Sequence, residues 1–343
     1  MKAAELAGVR QFRVVDQELP DPGPGEVQVQ VAAVGICGSD LHNFTEGGVG
    51  DSPCKFPMVL GHEPSGIVLK TGAGVSGLLL GDYFALEPAI PCGRCELCHA
   101  GKENLCYDMR FLSSGGIPGF FCERVNLPAH NLIPVPKHVG LKEATLVEPI
   151  AVALHSLSFA HVKAGETAVV YGTGAIGLLT IACLKAAGIG RVWAVEPVAH
   201  RRDMAVAMGA DVVLNTDQPV QEILKDTNNR GVDIAFDCAA GVNTVNDCIN
   251  SLAKAGRLVY TAIPAEVHVP FYAPGLRKKE ISFFNVFRSN HQTDQARDLL
   301  AEKVTLFAPI LTHTRPLDQI HDAFDVAQRY VDGVGKMLVM PSE

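Results

Sequence analysis

Basic residues are in short supply. Twenty-nine Lys and Arg stand against 37 Asp and Glu, a formal charge of −8, and no basic stripe runs along the chain, which disfavours a broad phosphate-binding surface and any nucleic-acid partner. Internal repeats and low-complexity tracts are absent. So is an apolar core behind a basic segment in Met1 to Gly8, which leaves no secretory signal and sets the expectation of a cytoplasmic protein. Aromatic residues make up 6% and charged residues 19%, but 48% of the 343 residues are hydrophobic, which excludes wholesale disorder and a collagen-like chain. That length suggests about two domains. One uncharged run, Thr167 to Leu184, has the length of a membrane span. Glycines at 172, 174 and 177 give it another meaning, and no membrane segment is expected.

Cysteine is plentiful instead. A chain of this size needs no disulfide staples, yet it carries 10 cysteines, of which Cys92, Cys95, Cys98 and Cys106 crowd into one loop opened by Pro91. Clustered thiols read first as metal ligands. Four thiolates on a short loop match a closed, tetrahedral structural zinc site. A redox Cys-x-x-Cys pair is the competing reading, but no thioredoxin-like βαβ pattern surrounds it. His99, beside Cys98, reads as a surface residue.

The chain changes character along its length. Val27, Val29 and Val31 alternate with Gln28 and Gln30, the period of a half-buried strand. Short apolar runs between Gly and Pro then continue to about Pro136, predicting a small, irregular, mostly antiparallel β domain. Leu141 to Ala160 predicts a helix. Beyond Gly165, strands at Thr167 to Tyr171, Arg191 to Val195, Asp211 to Leu214, Val232 to Asp237 and Gly256 to Ala262 alternate with helical stretches, the pattern of a parallel sheet with helices on both faces. Helices near Gln292 to Glu302 and Leu317 to Tyr330 and a strand at Lys336 to Met340 follow. Periodicity alone leaves open whether these extend the parallel sheet or return to the first domain.

Between the strand Thr167 to Tyr171 and the next helix, Gly172, Gly174 and Gly177 form G-x-G-x-x-G. In that context the first glycine permits a tight turn, the second lets backbone approach a pyrophosphate, and the third lets helix pack on strand. Glu196, at the end of the following strand, is placed to accept hydrogen bonds from an adenosine ribose and would repel a 2′-phosphate, favouring NAD. Arg201 and Arg202 are either solvated helix residues or compensating charges. A looser constellation comprises Cys37 with Gly38, Ser39, Asp40 and His42, then His62 and Glu63, then Glu148. A thiolate, an imidazole and carboxylates can make a zinc site with one open position. Taken singly, each is as readily a core or surface residue.

Together, Gly61-His62-Glu63-Pro64-Ser65-Gly66 with Gly72, Cys37-Gly38-Ser39-Asp40 and the four-cysteine loop resemble the zinc-containing medium-chain alcohol dehydrogenases over almost the whole chain. Glu148-Pro149-Ile150-Ala151-Val152-Ala153-Leu154-His155 and Val286-Phe287-Arg288 narrow the resemblance to the sorbitol (polyol) and threonine dehydrogenase branch. It implies an α/β architecture: a GroES-like β-rich catalytic domain, residues 1–152 and 290–343, and a Rossmann NAD-binding domain, residues 153–289. It implies a catalytic zinc held by Cys37, His62, Glu63 and Glu148, the last directly or through water, and a structural zinc held by Cys92, Cys95, Cys98 and Cys106. Ser39 would take the hydroxyl proton and pass it through the cofactor ribose toward His42, with Arg288 lining the substrate. NAD would be held by Gly172, Gly174, Ile176, Gly177, Glu196, Arg201, Thr261, Ala262, Ile263, Val286, Phe287 and Arg288.

The implied reaction is hydride transfer from a secondary alcohol or polyol to NAD, in a homodimer or homotetramer. Threonine oxidation is one alternative and a non-catalytic nucleotide-binding protein another. Asn43 and Ser289 stand where sorbitol dehydrogenases commonly carry tyrosines, so the expected polyol pocket lacks two rings.

Overall fold

A computed structural model describes residues 1–239, 241–264 and 268–343. The chain divides into two compact units, one of Met1–Ala151, Asn290–Val304 and Leu311–Glu343, the other of Val152–Ser289 and Thr305–Ile310. The first is built on a seven-stranded sheet. Its strands run Leu132–Pro134, Tyr83–Leu86, Glu63–Thr71, Glu26–Gly35, Lys336–Met340 and Leu311–Pro316, and Arg124–Pro128 pairs on Glu26–Gly35 as well. All pairings are antiparallel except that of Leu311–Pro316 with Lys336–Met340. The strand announced by Val27, Val29 and Val31 extends through Gly35, where the alternation gives way to three consecutive buried residues, Ala33, Val34 and Gly35, and its apolar residues enter the main core with Phe84, Phe120 and Phe121. The open question about the chain's last strand is thereby answered: it completes the first unit's sheet.

The second unit is a six-stranded, all-parallel sheet in the order Val212–Leu214, Arg191–Val195, Thr167–Tyr171, Val232–Asp237, Leu252–Tyr260, Ser282–Asn285. Numbered along the chain this is 3-2-1-4-5-6, the doubly wound order in which a dinucleotide lies across the strand ends at the point where the order reverses. That point falls at Thr167–Tyr171, the strand that leads into the glycine motif. The uncharged run Thr167 to Leu184 is thus a buried strand, a turn and a helix, Ala175–Ala186. No helix of the described residues is long and apolar enough to cross a membrane.

Three local differences from the sequence reading have physical causes. The helical stretch Leu141 to Ala160 is two helices, Leu141–Ala144 and Val147–Ala160. Pro149 tolerates the first turn of the second helix but would clash with the carbonyl of Thr145 in a continuous one. The strand expected from Gly256 starts at Leu252, through an irregular pairing opposite Val232 and Ile234 and a left-handed Ala255 at φ 58°. The short strand Ser282–Asn285 has no alternation to announce it, being an edge strand with two half-buried phenylalanines between exposed ends.

Candidate active site

Cys37, His62 and Glu63 are brought together by the central strands of the first unit. Cys37 follows the strand Glu26–Gly35 and precedes the helix Gly38–Glu46, while Glu63 opens the neighbouring strand Glu63–Thr71 and His62 immediately precedes it. One ligand atom from each lies within 4.8 Å of the others. Gly61 makes the approach possible: its φ is 91°, and a Cβ there would fall 2.9 Å from Val34 Cγ1. Thiolate, imidazole and carboxylate form a mixed S, N, O set suited to zinc with an open fourth position. The residues therefore fit the metal.

Asp40, quoted in the sequence motif without a role, is the hub of this cluster. Its side chain is 1% exposed. Oδ2 accepts the Cys37 N–H at 3.1 Å, and Oδ1 accepts the Gly61 N–H at 3.3 Å and the Ser113 hydroxyl at 3.4 Å, lying 3.6 Å from His62 Nδ1. One carboxylate thus ties the backbone beside the thiol to the backbone beside the imidazole. Burial opposes charge on His62, but the Asp40 and Cys37 charges and hydrogen bonds outweigh it and hold its pKa well above the usual value. A carboxylate behind a metal-binding imidazole fixes its orientation and raises its basicity. Asp40→Ala is expected to weaken zinc retention by about 10–100-fold, measured by chelator competition; unchanged retention would show that other contacts hold the ring.

Glu148 lies at the start of the helix Val147–Ala160, outside the 4.8 Å set but near enough to feel its charges. Burial pushes its carboxyl up to about 8; His62 pulls it down, Glu63 and Glu87 push it up, and Lys336 pulls it down. Ser39 and His42 stand three residues apart on the helix Gly38–Glu46, hence on one face. His42 Nδ1 is 2.9 Å from Glu46 Oε1.

Cys92, Cys95, Cys98 and Cys106 form the second cluster, all four sulfurs within 4.8 Å. Tetrahedral coordination at about 2.3 Å places sulfurs roughly 3.8 Å apart, and the Cys95 to Cys98 and Cys95 to Cys106 separations are 3.5 and 4.0 Å. The backbone N–H groups of Cys98 and Tyr107 pull the Cys95 thiol down to about 6, whereas burial pushes Cys98 up to about 12. Thiols this close cannot all ionise without a cation among them, which is what a structural zinc provides. Asn290 secures the loop, donating from Nδ2 to the Gly101 carbonyl at 2.8 Å and accepting the Asn104 N–H at 3.4 Å.

In the second unit each glycine of the motif has a separate reason. Gly172 has φ 82° and would clash with Ala239; a Cβ on Gly177 would overlap the Gly172 carbonyl; beside Gly174 there is open space. Close packing on two sides and room on the third is what a pyrophosphate-binding turn requires. Ile176 is half-buried in the helix Ala175–Ala186. Glu196, 3% exposed, accepts the Thr173 N–H at 2.7 Å and the Thr173 hydroxyl at 3.1 Å on Oε2, and the Val198 N–H at 2.9 Å on Oε1. At least three of its roughly four acceptor sites are taken. It pins the glycine turn directly, a task invisible in the spacing. Arg201 offers its carbonyl to Thr173 Oγ1 at 3.4 Å.

Thr261 and Ala262 both donate their N–H groups to the Asp237 carbonyl, Ile263 is exposed, and the Val286 N–H bonds the Tyr260 carbonyl. Phe287 is exposed, with the Arg288 guanidinium 4.7 Å from its ring centre, and Arg288 itself adopts a left-handed φ of 58°.

Comparison with known proteins agrees with this geometry. Residues 23–137 match the alcohol dehydrogenase GroES-like domain and residues 175–302 the zinc-binding dehydrogenase domain. A sorbitol dehydrogenase of Bacillus subtilis is 31% identical over 344 residues, spanning 100% of this chain and 98% of its own. The crystal structure of L-idonate 5-dehydrogenase from Escherichia coli superposes with a TM-score of 0.93 at 29% identity, covering 99% of this chain and 98% of that one. An Escherichia coli alcohol dehydrogenase solved with its cofactor NADH gives a TM-score of 0.91 at 26% identity, with 99% of both chains covered.

Proposed function

The chain belongs to the zinc-binding alcohol dehydrogenase family, and from that premise we propose that its substrate is a polyol oxidised at a secondary hydroxyl. It is an NAD- and zinc-dependent oxidoreductase. The observation that carries the reading is the Cys37, His62 and Glu63 cluster, with Glu148 in place to sense it. Zinc supplies a Lewis acid that lowers the pKa of an alcohol hydroxyl, and NAD supplies the hydride acceptor.

The chain's own residues do the rest. Cys37, His62 and Glu63 hold the metal, with Glu148 as a further carboxylate beside it, and Asp40 keeps the imidazole aimed. Ser39 accepts the hydroxyl proton, and His42, one turn along the same helix and partly exposed, releases it to solvent. Gly174 leaves room for the pyrophosphate, and the negative charge of Glu196 disfavours a 2′-phosphate. Ile176, Arg201, the backbone of Thr261, Ala262 and Ile263, and residues Val286 to Arg288 complete the nucleotide contacts. The four-thiol cluster holds the structural zinc. The reading takes the catalytic domain as residues 1–152 and 290–343 and the NAD-binding domain as 153–289. It has the protein acting as a homodimer or homotetramer. None of the ten cysteines is in a disulfide, which suits a reducing cytoplasm.

Arg288 supports a second reading, a substrate that carries a carboxylate, since a guanidinium matches that group with two parallel hydrogen bonds. The test is NADH formation across polyols, sugar acids and threonine, before and after chelation. The polyol reading expects the largest kcat/KM with a polyol and loss of turnover on chelation. Preferential turnover of a sugar acid or of threonine would replace it with the second.

A further inference from the structure

Lys336, on the strand Lys336–Met340, is a lysine in a place where lysine is rare. Its side chain is 1% exposed, and its ammonium forms an ion pair with Glu63 Oε2, which is 1% exposed itself. Beyond that pair, neither atom has a hydrogen-bond partner among the described residues. Sheet register explains the meeting. Gly35 stands opposite Glu63 on one side and opposite Leu338 on the other, and Lys336, two residues before Leu338, shares its face. A Cβ at Gly35 would fall 2.8 Å from Lys336 Cε and overlap Glu63 Oε2. Glycine thus leaves the gap through which two charges touch across the strand that separates them.

A buried ammonium persists only where opposite charge compensates its desolvation. Burial opposes the charge of Lys336, but Glu63, Cys37 and Glu148 outweigh it, and these are the groups that surround the metal position. Were the cation there for sheet packing alone, an apolar side chain would serve at lower cost. We propose that Lys336 is a positioning residue of the catalytic metal centre: by holding one oxygen of Glu63 it competes with the metal for that carboxylate, so Glu63 is a weakened ligand and the metal stays electrophilic. This rests on the assignment of Cys37, His62 and Glu63 as metal ligands.

The test replaces the exchangeable zinc with cobalt(II) in wild type, Lys336→Met, Glu63→Gln and the double variant, with circular dichroism reporting the fold. Lys336→Met is expected to bind cobalt about tenfold more tightly or better, since a neighbouring positive charge no longer opposes the metal or competes for Glu63, to shift its visible absorption, and to lose kcat with KM for NAD unchanged. In the Glu63→Gln background, Lys336→Met should change neither affinity nor spectrum, because the carboxylate through which it acts is gone. Unaltered cobalt affinity and spectrum in Lys336→Met, or the same change in both backgrounds, would overturn the proposal. Should Lys336→Met not fold, Glu63→Gln against the double variant decides: equal spectra support the proposal and different ones refute it. Cys37→Ser separates the two layers. If that variant keeps both metals, the site assignment falls and the proposal with it; if it loses one while Lys336→Met behaves as wild type, only the proposal falls.

Discussion

Cys37→Ser is expected to lose one of two zinc equivalents and at least about 10³-fold in kcat while remaining folded. A Lewis acid at the reacting oxygen supplies several kcal/mol of transition-state stabilisation, and each 1.36 kcal/mol is a factor of ten. Removing ~4 kcal/mol therefore costs roughly three decades. The fold survives for a local reason. Cys37 occupies the N-cap of the helix Gly38–Glu46, a position serine fills well, and the thiol is only half-buried. Zinc content, NADH formation and circular dichroism together check the result. Turnover near wild type in a protein that has lost one zinc would remove this cluster from the chemistry.

Cys98→Ser should show the reverse pattern. The other zinc is lost, Tm falls, and the fraction that stays folded turns over at close to the normal kcat. Structural zinc in small peptides contributes about 10–16 kcal/mol of apparent folding energy. Here the Asn290 contacts hold part of the loop without metal, so only a fraction is at stake. A loss of about 3 kcal/mol would lower Tm by roughly 6–12 °C in a unit of this size. Thermal unfolding followed alongside zinc content tests it, and an unchanged Tm after loss of that zinc would deny the loop a structural role.

What could be read from residues alone was whatever is decided over a short stretch of chain. Gly172, Gly174 and Gly177 each serve a turn or contact within a few residues, and the four thiols of the cysteine loop are neighbours in sequence, so spacing nearly determines geometry. Pro149 is a local signal of the same kind, but helical periodicity on both sides of it hid the break between Leu141–Ala144 and Val147–Ala160. Asp40 was visible as a letter in a motif, but its work depends on Gly61, His62 and Ser113 arriving from segments distant in sequence. Lys336 carried no signal, because its partner is set by the register of three strands and by the missing side chain of Gly35. Glu196 sat at the right distance from the glycines, yet its burial against Thr173 is a product of folding. Thr305–Ile310 packs with the second unit, a placement without any periodic mark.

The sheet that carries the catalytic cluster pairs Gly35 with Leu338, residues from opposite ends of the sequence. During synthesis the second unit, nearly contiguous from Val152 to Ser289, can close its parallel sheet while the first still lacks an interior strand. Long-range pairing of that kind is slow, since loop closure precedes any reward from contact. Cys37, His62 and Glu63 therefore emerge before the second unit, but the ammonium that pairs with Glu63 is translated only after it. Until Lys336 arrives, Glu63 lacks the ion-pair partner it has in the folded sheet.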